Sequence, residues 1–350
     1  MEIEKKYTFG MKKTKYMIID EKYPYEKIEE ELEKGIVQRT TEYKYVGLYL
    51  NEKGNLTLHK EKMDERAMDN YREIMAMGSF REVGGEFLRV RLMLFEKCWM
   101  PAVTNGIHAW TLLTDKDIDD IEQIQVKYLK RLCGLPASTP TAALIMELGI
   151  WPATEAIQYL SAMLYHELIT SDNQRVASSI IKEQSMKVMK NSLPNRVQEM
   201  MKDIGCKFED IKNLKKSTWK KKVKDAMRNR IDSRLKEKMK DKTKSRFAVT
   251  ENFGEAKTYI SQHTGYNAID ILKIRLNMAD TKSNFKSKYK NHYCPKCKTD
   301  TDTAEHIVRC FTDVNPTEIY NTKSEEWLNI LEGYKKYKGY LDNEEMLAVE

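Results

Sequence analysis

The stretch Cys294-Pro-Lys-Cys297, followed after eight residues by His306-Ile-Val-Arg-Cys310, is the most informative part of this sequence. A gap of two residues lets a tight turn bring the sulfurs of Cys294 and Cys297 to one ion. His306 and Cys310 are four residues apart, so one helical turn points both side chains the same way. Three thiolates and an imidazole predict a closed, tetrahedral Zn²⁺ site of the structural kind, because soft ligands favour zinc over magnesium or calcium.

A simpler interpretation of the same stretch is a chance cluster of reduced cysteines. Three of the six cysteines lie in these seventeen residues, beside the only histidine at helical spacing to one of them, which favours the metal site. His292 is interpreted as a bystander, because the other four ligands complete the shell. DNA-reading zinc fingers have a longer gap before their histidines. The spacing therefore predicts a small metal-stapled module without naming what that module binds.

Composition narrows the class of protein. The chain has 350 residues, of which 41% are hydrophobic and 32% charged, and its net charge is +7. This length allows two or three domains, and the scarcity of Gly and Pro predicts a mostly α fold. The positive charge favours a polyanionic partner. Six cysteines in so long a chain indicate a reducing compartment. No apolar run could cross a membrane and no signal peptide is recognisable, so we expect the nucleus or the cytoplasm.

The first 58 residues are expected to form strands and turns. A basic turn with Lys12, Lys13 and Lys15 leads into a short strand that ends near residue 19. Residues 23–36 predict a hairpin or a frayed helix.

Residues 43–50, Tyr-Lys-Tyr-Val-Gly-Leu-Tyr-Leu, alternate as a second strand does. This alternation predicts one face with Tyr43, Tyr45, Gly47 and Tyr49, and an aliphatic face that belongs to the core. Residues 56–58 are expected to return as a third strand. An ordinary amphipathic hairpin explains the pattern as well as a functional surface does.

Helical spacing dominates from residue 60 onward. Arg89 and Arg91 lie within the second predicted helix and either point into a groove or are plain solvated positions. Thr114 and Asp117 predict a capped helix start. Predicted helices cover residues 60–77, 81–100, 114–133, a short segment after 140, 153–170, two segments in 174–204, 266–278 and 324–334.

Residues 212–246 form a strongly basic run. It contains sixteen lysines and arginines against four acids, an excess of twelve charges that is larger than the net charge of the whole chain. Two interpretations stay open: a solvated helix with one apolar stripe, or a surface that follows phosphate groups with salt-dependent affinity. The candidate nucleic-acid contacts in this run are Lys220, Lys221, Lys222, Lys224, Arg228 and Arg230.

Four segments, taken in this order, resemble the carboxy-terminal half of the reverse transcriptases of non-LTR (LINE-like) retroelements. Residues 10–18 are similar to the segment that closes the palm, and residues 43–48 to the primer-grip hairpin, with Val46 where the family has Leu. Residues 95–136 resemble the thumb and the segment behind it. The Cys-Cys-His-Cys module after basic helices is similar to the terminal zinc knuckle of the family.

The resemblance implies a role in nucleic-acid binding. Tyr45 and Gly47 would lie against the primer strand, helices of residues 60–133 would follow the duplex, and the basic run and the zinc module would hold template RNA or target DNA. The resemblance also implies limits, because the catalytic Tyr/Phe-Ala-Asp-Asp turn is missing and the only Asp-Asp pair, Asp119-Asp120, lies inside a predicted helix. We therefore expect no catalytic residues in this chain. We also expect the chain to be a truncated or domesticated remnant of such an enzyme, or one piece of a split gene.

Two other functions stay open. Mg²⁺-dependent polymerisation would require another polypeptide that carries the missing palm. A zinc-stapled protein-interaction scaffold would leave the basic run merely solvated. The predicted organisation is a small β-hairpin region (palm-end and primer-grip-like, 1–58), thumb-like helices (59–136), a helical linker (137–280), a zinc knuckle (281–315) and a C-terminal tail helix (316–350).

Overall fold

The computed structural model confirms a mostly helical chain with a small β region near its N-terminus. It describes residues 14–19, 29–32, 35–45, 47–77, 87–110, 113–171, 176–186, 191–240, 252–263, 266–286, 288–289, 291–321 and 323–342. Lys12 and Lys13 and the end of the basic run after residue 240 lie outside the described residues.

Within the described residues, five strands form two small sheets. In the first sheet β1 pairs parallel with β3, and β3 pairs antiparallel with β2. Of the two alternatives predicted for residues 23–36, a hairpin or a frayed helix, the hairpin is present, although its second strand extends to residue 39 and residues 23–28 lie outside the described residues. The second sheet is the antiparallel β4–β5 hairpin. Their bounds are β1 Lys15–Tyr16, β2 Glu29–Leu32, β3 Gly35–Arg39, β4 Glu42–Tyr45 and β5 Leu48–Asn51.

The predicted faces of residues 43–50 are wrong, because the chain turns at Gly47 instead of running on as one strand. Tyr45 pairs with Leu48 and Tyr43 pairs with Leu50. Directly paired residues of an antiparallel sheet share a face, so both tyrosines lie on the side of the leucines. Gly47 has φ +89°, a left-handed backbone conformation that residues other than glycine rarely adopt.

Thirteen α-helices lie in the described residues, with short 3₁₀ turns between some of them. Their bounds are α1 Thr57–Met77, α2 Phe87–Leu94, α3 Met100–Thr104, α4 Asp115–Leu132, α5 Thr141–Leu148, α6 Ala153–Thr170, α7 Val176–Met186, α8 Leu193–Asp203, α9 Lys216–Lys240, α10 Tyr259–Gln262, α11 Tyr266–Arg275, α12 Ala304–Phe311 and α13 Trp327–Asp342.

Helix starts follow local capping chemistry. At α4, the Thr114 hydroxyl accepts the N–H of Asp117 and the Asp117 carboxylate accepts the N–H of Thr114, which is the predicted capping box. The strand expected at residues 56–58 is wrong, because the Asn55 side chain accepts the N–H of Thr57 and α1 begins there. The helix expected to stop at Pro101 instead widens into a π turn over Phe95–Trp99 and continues as α3.

Among the described residues, the buried side chains form two clusters. The larger one runs from α1 through α5, takes in the C-terminal half of α9, and includes α10 to α13. The smaller one joins α6, α7 and α8 to the N-terminal half of α9. Helix α9 therefore contributes to both clusters.

A buried ion pair ties α5 to α11 inside the larger cluster. Arg275 and Glu147 are almost fully buried, and two guanidinium nitrogens of Arg275 reach the Glu147 carboxylate at 2.7 and 2.9 Å. The hydroxyl of Tyr259 donates to the same carboxylate at 2.9 Å. Arg275 also donates to the carbonyl of Ile319 at 2.9 Å, so every charge of this pair is satisfied inside the protein.

Candidate metal centre and candidate nucleic-acid surfaces

A short hairpin positions the first two metal-ligand candidates. Tyr293 and Thr301 form a single antiparallel bridge, and the turn between them carries Cys294 and Cys297. Within this turn the N–H of Lys298 donates to the carbonyl of Cys294 at 2.9 Å. Lys298 has φ 60°, so the turn closes through a left-handed residue. The two sulfurs are thereby held on the same side of the turn.

Helix α12 positions the other two candidates. Thr303 caps it by accepting the N–H of His306 at 3.2 Å, and His306 and Cys310 lie one turn apart on the face toward the hairpin. The Nζ of Lys296 donates to the carbonyl of Cys310 at 2.6 Å, which places a cation at the negative C-terminal end of the helix. Lys296 thus fastens the hairpin to the C-terminal end of the helix.

Cys294, Cys297, His306 and Cys310 form a group that could hold a metal ion, with ligand atoms all within 4.8 Å of one another. The sulfurs of Cys294 and Cys310 are 3.9 Å apart, and the sulfur of Cys297 lies 3.4 Å from Nε2 of His306. Tetrahedral zinc with bonds of about 2.3 Å to sulfur and about 2.0 Å to nitrogen requires separations of roughly 3.8 and 3.6 Å. The geometry is therefore compatible with zinc, and His292 lies outside the group, as predicted.

Hydrogen bonds to the sulfur of Cys297 favour its thiolate form, which is the form that binds a metal. The Thr299 hydroxyl donates to the sulfur of Cys297 at 3.3 Å. Together with the backbone N–H groups of Asp300 and Thr299, it lowers the pKa of Cys297 to about 6. Burial raises the pKa of the Cys294 thiol, although the N–H groups of Cys297 and Lys296 oppose this. A divalent cation would favour the thiolate at both positions.

The outer support of the site was not predicted from the sequence. The Asp300 carboxylate lies 3.3 Å from Nδ1 of His306 and 3.3 Å from Nη2 of Arg309. With a metal on Nε2, the proton of His306 resides on Nδ1 and faces this carboxylate, an arrangement common at zinc sites. The only signal in the sequence is that Asp300 lies between Cys297 and His306, and spacing alone does not distinguish it from other nearby acids.

The metal module is part of the larger core. Cys294, Ile307, Val308 and Phe311 are buried in that cluster. Just before α12, the buried Asp302 accepts the backbone N–H of Lys282 at 2.8 Å and the hydroxyl of Tyr337 at 2.5 Å. The module is therefore bonded on one side to the segment after α11 and on the other to α13.

Helix α9, which carries most of the described part of the basic run, is built on a buried row at four-residue spacing: Trp219, Val223, Met227, Ile231, Leu235 and Met239. Because an α-helix has about 3.6 residues per turn, such a row drifts by roughly 40° per step and roughly 200° along this helix. The drift explains why the two halves of α9 pack in different clusters.

Two arginines of α9 face the body of the protein. Arg234 donates to Glu155 of α6 at 2.8 Å, and Glu155 is fully buried. Arg230 donates to Gln158 at 3.1 Å and lies 3.6 Å from Asp203. We call Arg230 and Arg234 the inner arginines. Their charges stabilise the packing of α9, so Arg230 is engaged within the protein rather than offered to a ligand.

The lysines near the start of α9 face solvent. Lys220, Lys221, Lys222 and Lys224 are exposed, and Arg228 is half-buried. We call Lys220, Lys221 and Lys224 the outer lysines, and none of these three has a carboxylate partner among the residues described. The basic run therefore combines a solvated surface with a buried stripe.

The β4–β5 hairpin presents the two tyrosines. Tyr45 is 60% exposed and Tyr43 is 39% exposed. A Cβ on Gly47 would come 2.7 Å from Nδ2 of Asn105, and Arg66 donates to the Gly47 carbonyl at 3.2 Å. The left-handed backbone of Gly47 is what favours glycine at the hairpin tip, whereas a contact of Tyr45 or Gly47 with a primer strand stays a prediction.

The remaining predicted contacts are scattered. Lys15 is exposed on β1, Arg89 is exposed on α2, and Arg91 is half-buried. Asp120 lies in α4, where its carboxylate binds Lys60 at 2.7 Å, so Asp119-Asp120 is part of a helix as expected.

Comparison with known proteins returned no family model and no curated protein that matches this chain. Among the helices described, none has both the length and the apolarity that crossing a bilayer requires.

Proposed function

We propose that this chain binds nucleic acid as the C-terminal portion of a retroelement-derived reverse transcriptase. The observation that carries the proposal is the set of outer lysines, Lys220, Lys221 and Lys224, which are exposed and without carboxylate partners in the described residues. The order of the four family-like segments along the chain supports it. The ligand is template RNA or target DNA, bound chiefly through phosphates, which do not read sequence.

Catalysis is not assigned to this polypeptide. The sequence has no carboxylate turn of the kind that holds two Mg²⁺ at a primer end, and its Asp-Asp pair is helical. Polymerisation would require a further polypeptide that supplies the palm.

We assign a structural Zn²⁺ to Cys294, Cys297, His306 and Cys310. Four protein ligands leave no open position for a reacting water, which is typical of structural zinc. The test is metal analysis of the purified chain together with Co²⁺ substitution. One metal per chain and the absorption of tetrahedral cobalt thiolate are expected. No retained metal, or an octahedral spectrum, would contradict the assignment.

The binding test is a salt series. Zinc-loaded protein is titrated onto a labelled RNA stem-loop and a primer–template duplex. Each phosphate contact contributes about 0.7 to 0.9 to the slope of log affinity against log salt. Changing Lys220, Lys221 and Lys224 together to Gln is expected to lower that slope by roughly 2 to 3. A protein that fails to bind either ligand at low salt would refute the proposed function.

A further inference from the structure

A groove of about 710 Å³ lies between α4 and the C-terminal end of α9. The side of α4 forms one wall, Lys238 of α9 forms part of the other, and Leu135 and Ala137 of the connecting loop lie at one end. Its volume falls in the range of ligand sites in proteins. None of the individually named candidate contacts lines it, although α4 belongs to the predicted thumb-like helices and Lys238 to the basic run.

Several cations line this groove, and most of them come from the C-terminal half of α4. They are Lys127, Lys130, Arg131 and Lys238. Lys127 is held by Asp64 at 3.1 Å, and Lys130 donates to the carbonyl of Ala137 at 2.7 Å. Arg131 and Lys238 are exposed, and neither has a carboxylate partner in the described part of the chain.

The position of Lys238 on α9 makes this arrangement informative. Lys238 continues the four-residue spacing of the inner arginines Arg230 and Arg234, whose charges are paired with Asp203 and Glu155. Lys238 instead shares a groove with Arg131, a like charge. Like charges brought together repel one another, and an anion between them would remove the repulsion.

The acidic residues of the groove lie at its other end. Asp119 and Glu122 line it there, and Glu122 is already engaged with Thr154 and Arg234. Nine residues of helix separate Glu122 from Arg131, a distance of roughly 13 Å along α4. The groove is therefore polarised along its length, and an anion is favoured at the Arg131 end only.

The residues that line the groove indicate how an anion would be recognised there. Val126, Leu135 and Ala137 supply the apolar part of the groove, and no aromatic side chain is among the described residues that line the groove. Stacking of bases, which single-strand sites offer through aromatic rings, is therefore not provided here.

We propose that the α4–α9 groove binds phosphate groups of a nucleic-acid strand, as a second contact beside the outer lysines. This inference rests on the proposed function. Arg131 and Lys238 contact the phosphates, whereas Lys127 and Lys130 set the local potential while they hold Asp64 and the loop.

The test is the same salt series on the chain with Arg131→Gln and Lys238→Gln. The control carries Lys323→Gln and Lys335→Gln, which remove the same charge from exposed positions outside the groove. The groove variant is expected to lower the slope by about 1.4 to 1.8, for two lost contacts, and the control by much less. Thermal melting of both variants checks that the fold is kept.

The outcomes separate the two proposals. Failure of the unaltered chain to bind refutes the proposed function. Binding by the unaltered chain with equal slopes for groove variant and control refutes the groove alone. Calorimetry with inorganic phosphate provides a further arm. Saturable phosphate binding that needs Arg131 and Lys238, without a change in the nucleic-acid slope, would overturn the assignment of the groove to a strand.

Discussion

Replacing Arg234 by Met tests how α9 is held on the protein. Arg234 is the close partner of Glu155, a carboxylate with no solvent exposure. Burial raises the pKa of Glu155, and Arg234 is the largest influence that opposes this. Without the guanidinium, the carboxyl takes up a proton rather than remain a buried, unpaired charge.

The cost of that proton sets the expected loss of stability. For a Glu with an unfolded pKa of about 4.3, protonation at pH 7 costs roughly 3.7 kcal/mol, and at pH 5 roughly 1 kcal/mol. A raised folded pKa means that stability is retained below the unfolded pKa and lost as pH rises above it. Arg234→Met is therefore expected to destabilise the chain by up to about 3.7 kcal/mol at pH 7 and by much less at pH 5.

The assay is urea unfolding of both proteins at the two pH values. The matched control is Lys224→Met, an exposed outer lysine on the same helix, for which a change within about 0.5 kcal/mol is expected. Equal losses in the two variants would refute the division of α9 into inner and outer cations. A loss in Arg234→Met that does not change with pH would refute the role of Glu155.

Three further predictions concern other parts of the chain. Cys310→Ser is expected to abolish metal binding and to raise hydrogen exchange across α12 and α13, since both share one core; unchanged exchange would contradict this. Arg275→Met leaves Glu147 buried without its partner, and urea unfolding should show a loss of about 3–5 kcal/mol that changing Glu147 to Leu as well largely restores. Tyr45→Ala removes a 60% exposed ring, so binding to a primer–template duplex should weaken by about 1–3 kcal/mol, measured by fluorescence anisotropy. The melting temperature of the variant should be unchanged. Equal affinities of the two proteins would rule out stacking on Tyr45.

Features set by neighbouring residues could be predicted from the sequence. The capping box of Thr114 and Asp117 marks the start of α4 because both hydrogen bonds close within one turn. A tight turn brings Cys294 and Cys297 together and one helical turn brings His306 and Cys310 together, whereas packing of the hairpin on α12 joins the two pairs. Such local features depend on backbone geometry over a few residues, which the spacing in the sequence encodes.

The turn at Gly47 could not be predicted from alternation. Continuous alternation over residues 43–50 fits one strand and a hairpin equally well, and the two differ in which faces the tyrosines share. Tertiary contacts favour the hairpin, because Arg66 donates to the Gly47 carbonyl and Leu48 packs against Gly106. These contacts join segments that are far apart in the sequence.

The same limit applies to the sites. The carboxylate of Asp300 supports His306, and Tyr337 binds Asp302, only because the hairpin, α12 and α13 pack together. The groove cations Arg131 and Lys238 come from different helices. Composition located the basic run, yet only packing separates the inner arginines from the outer lysines.

The most direct test of nucleic-acid binding through α9 is a lysine-reactivity footprint. The zinc-loaded chain is acetylated with and without saturating primer–template duplex, and modified lysines are quantified by mass spectrometry. Protection of the outer lysines, Lys220, Lys221 and Lys224, with unchanged reactivity of the exposed Lys323 and Lys335, is expected. Uniform protection, or none at the outer lysines under conditions where the duplex is bound, would contradict the proposal.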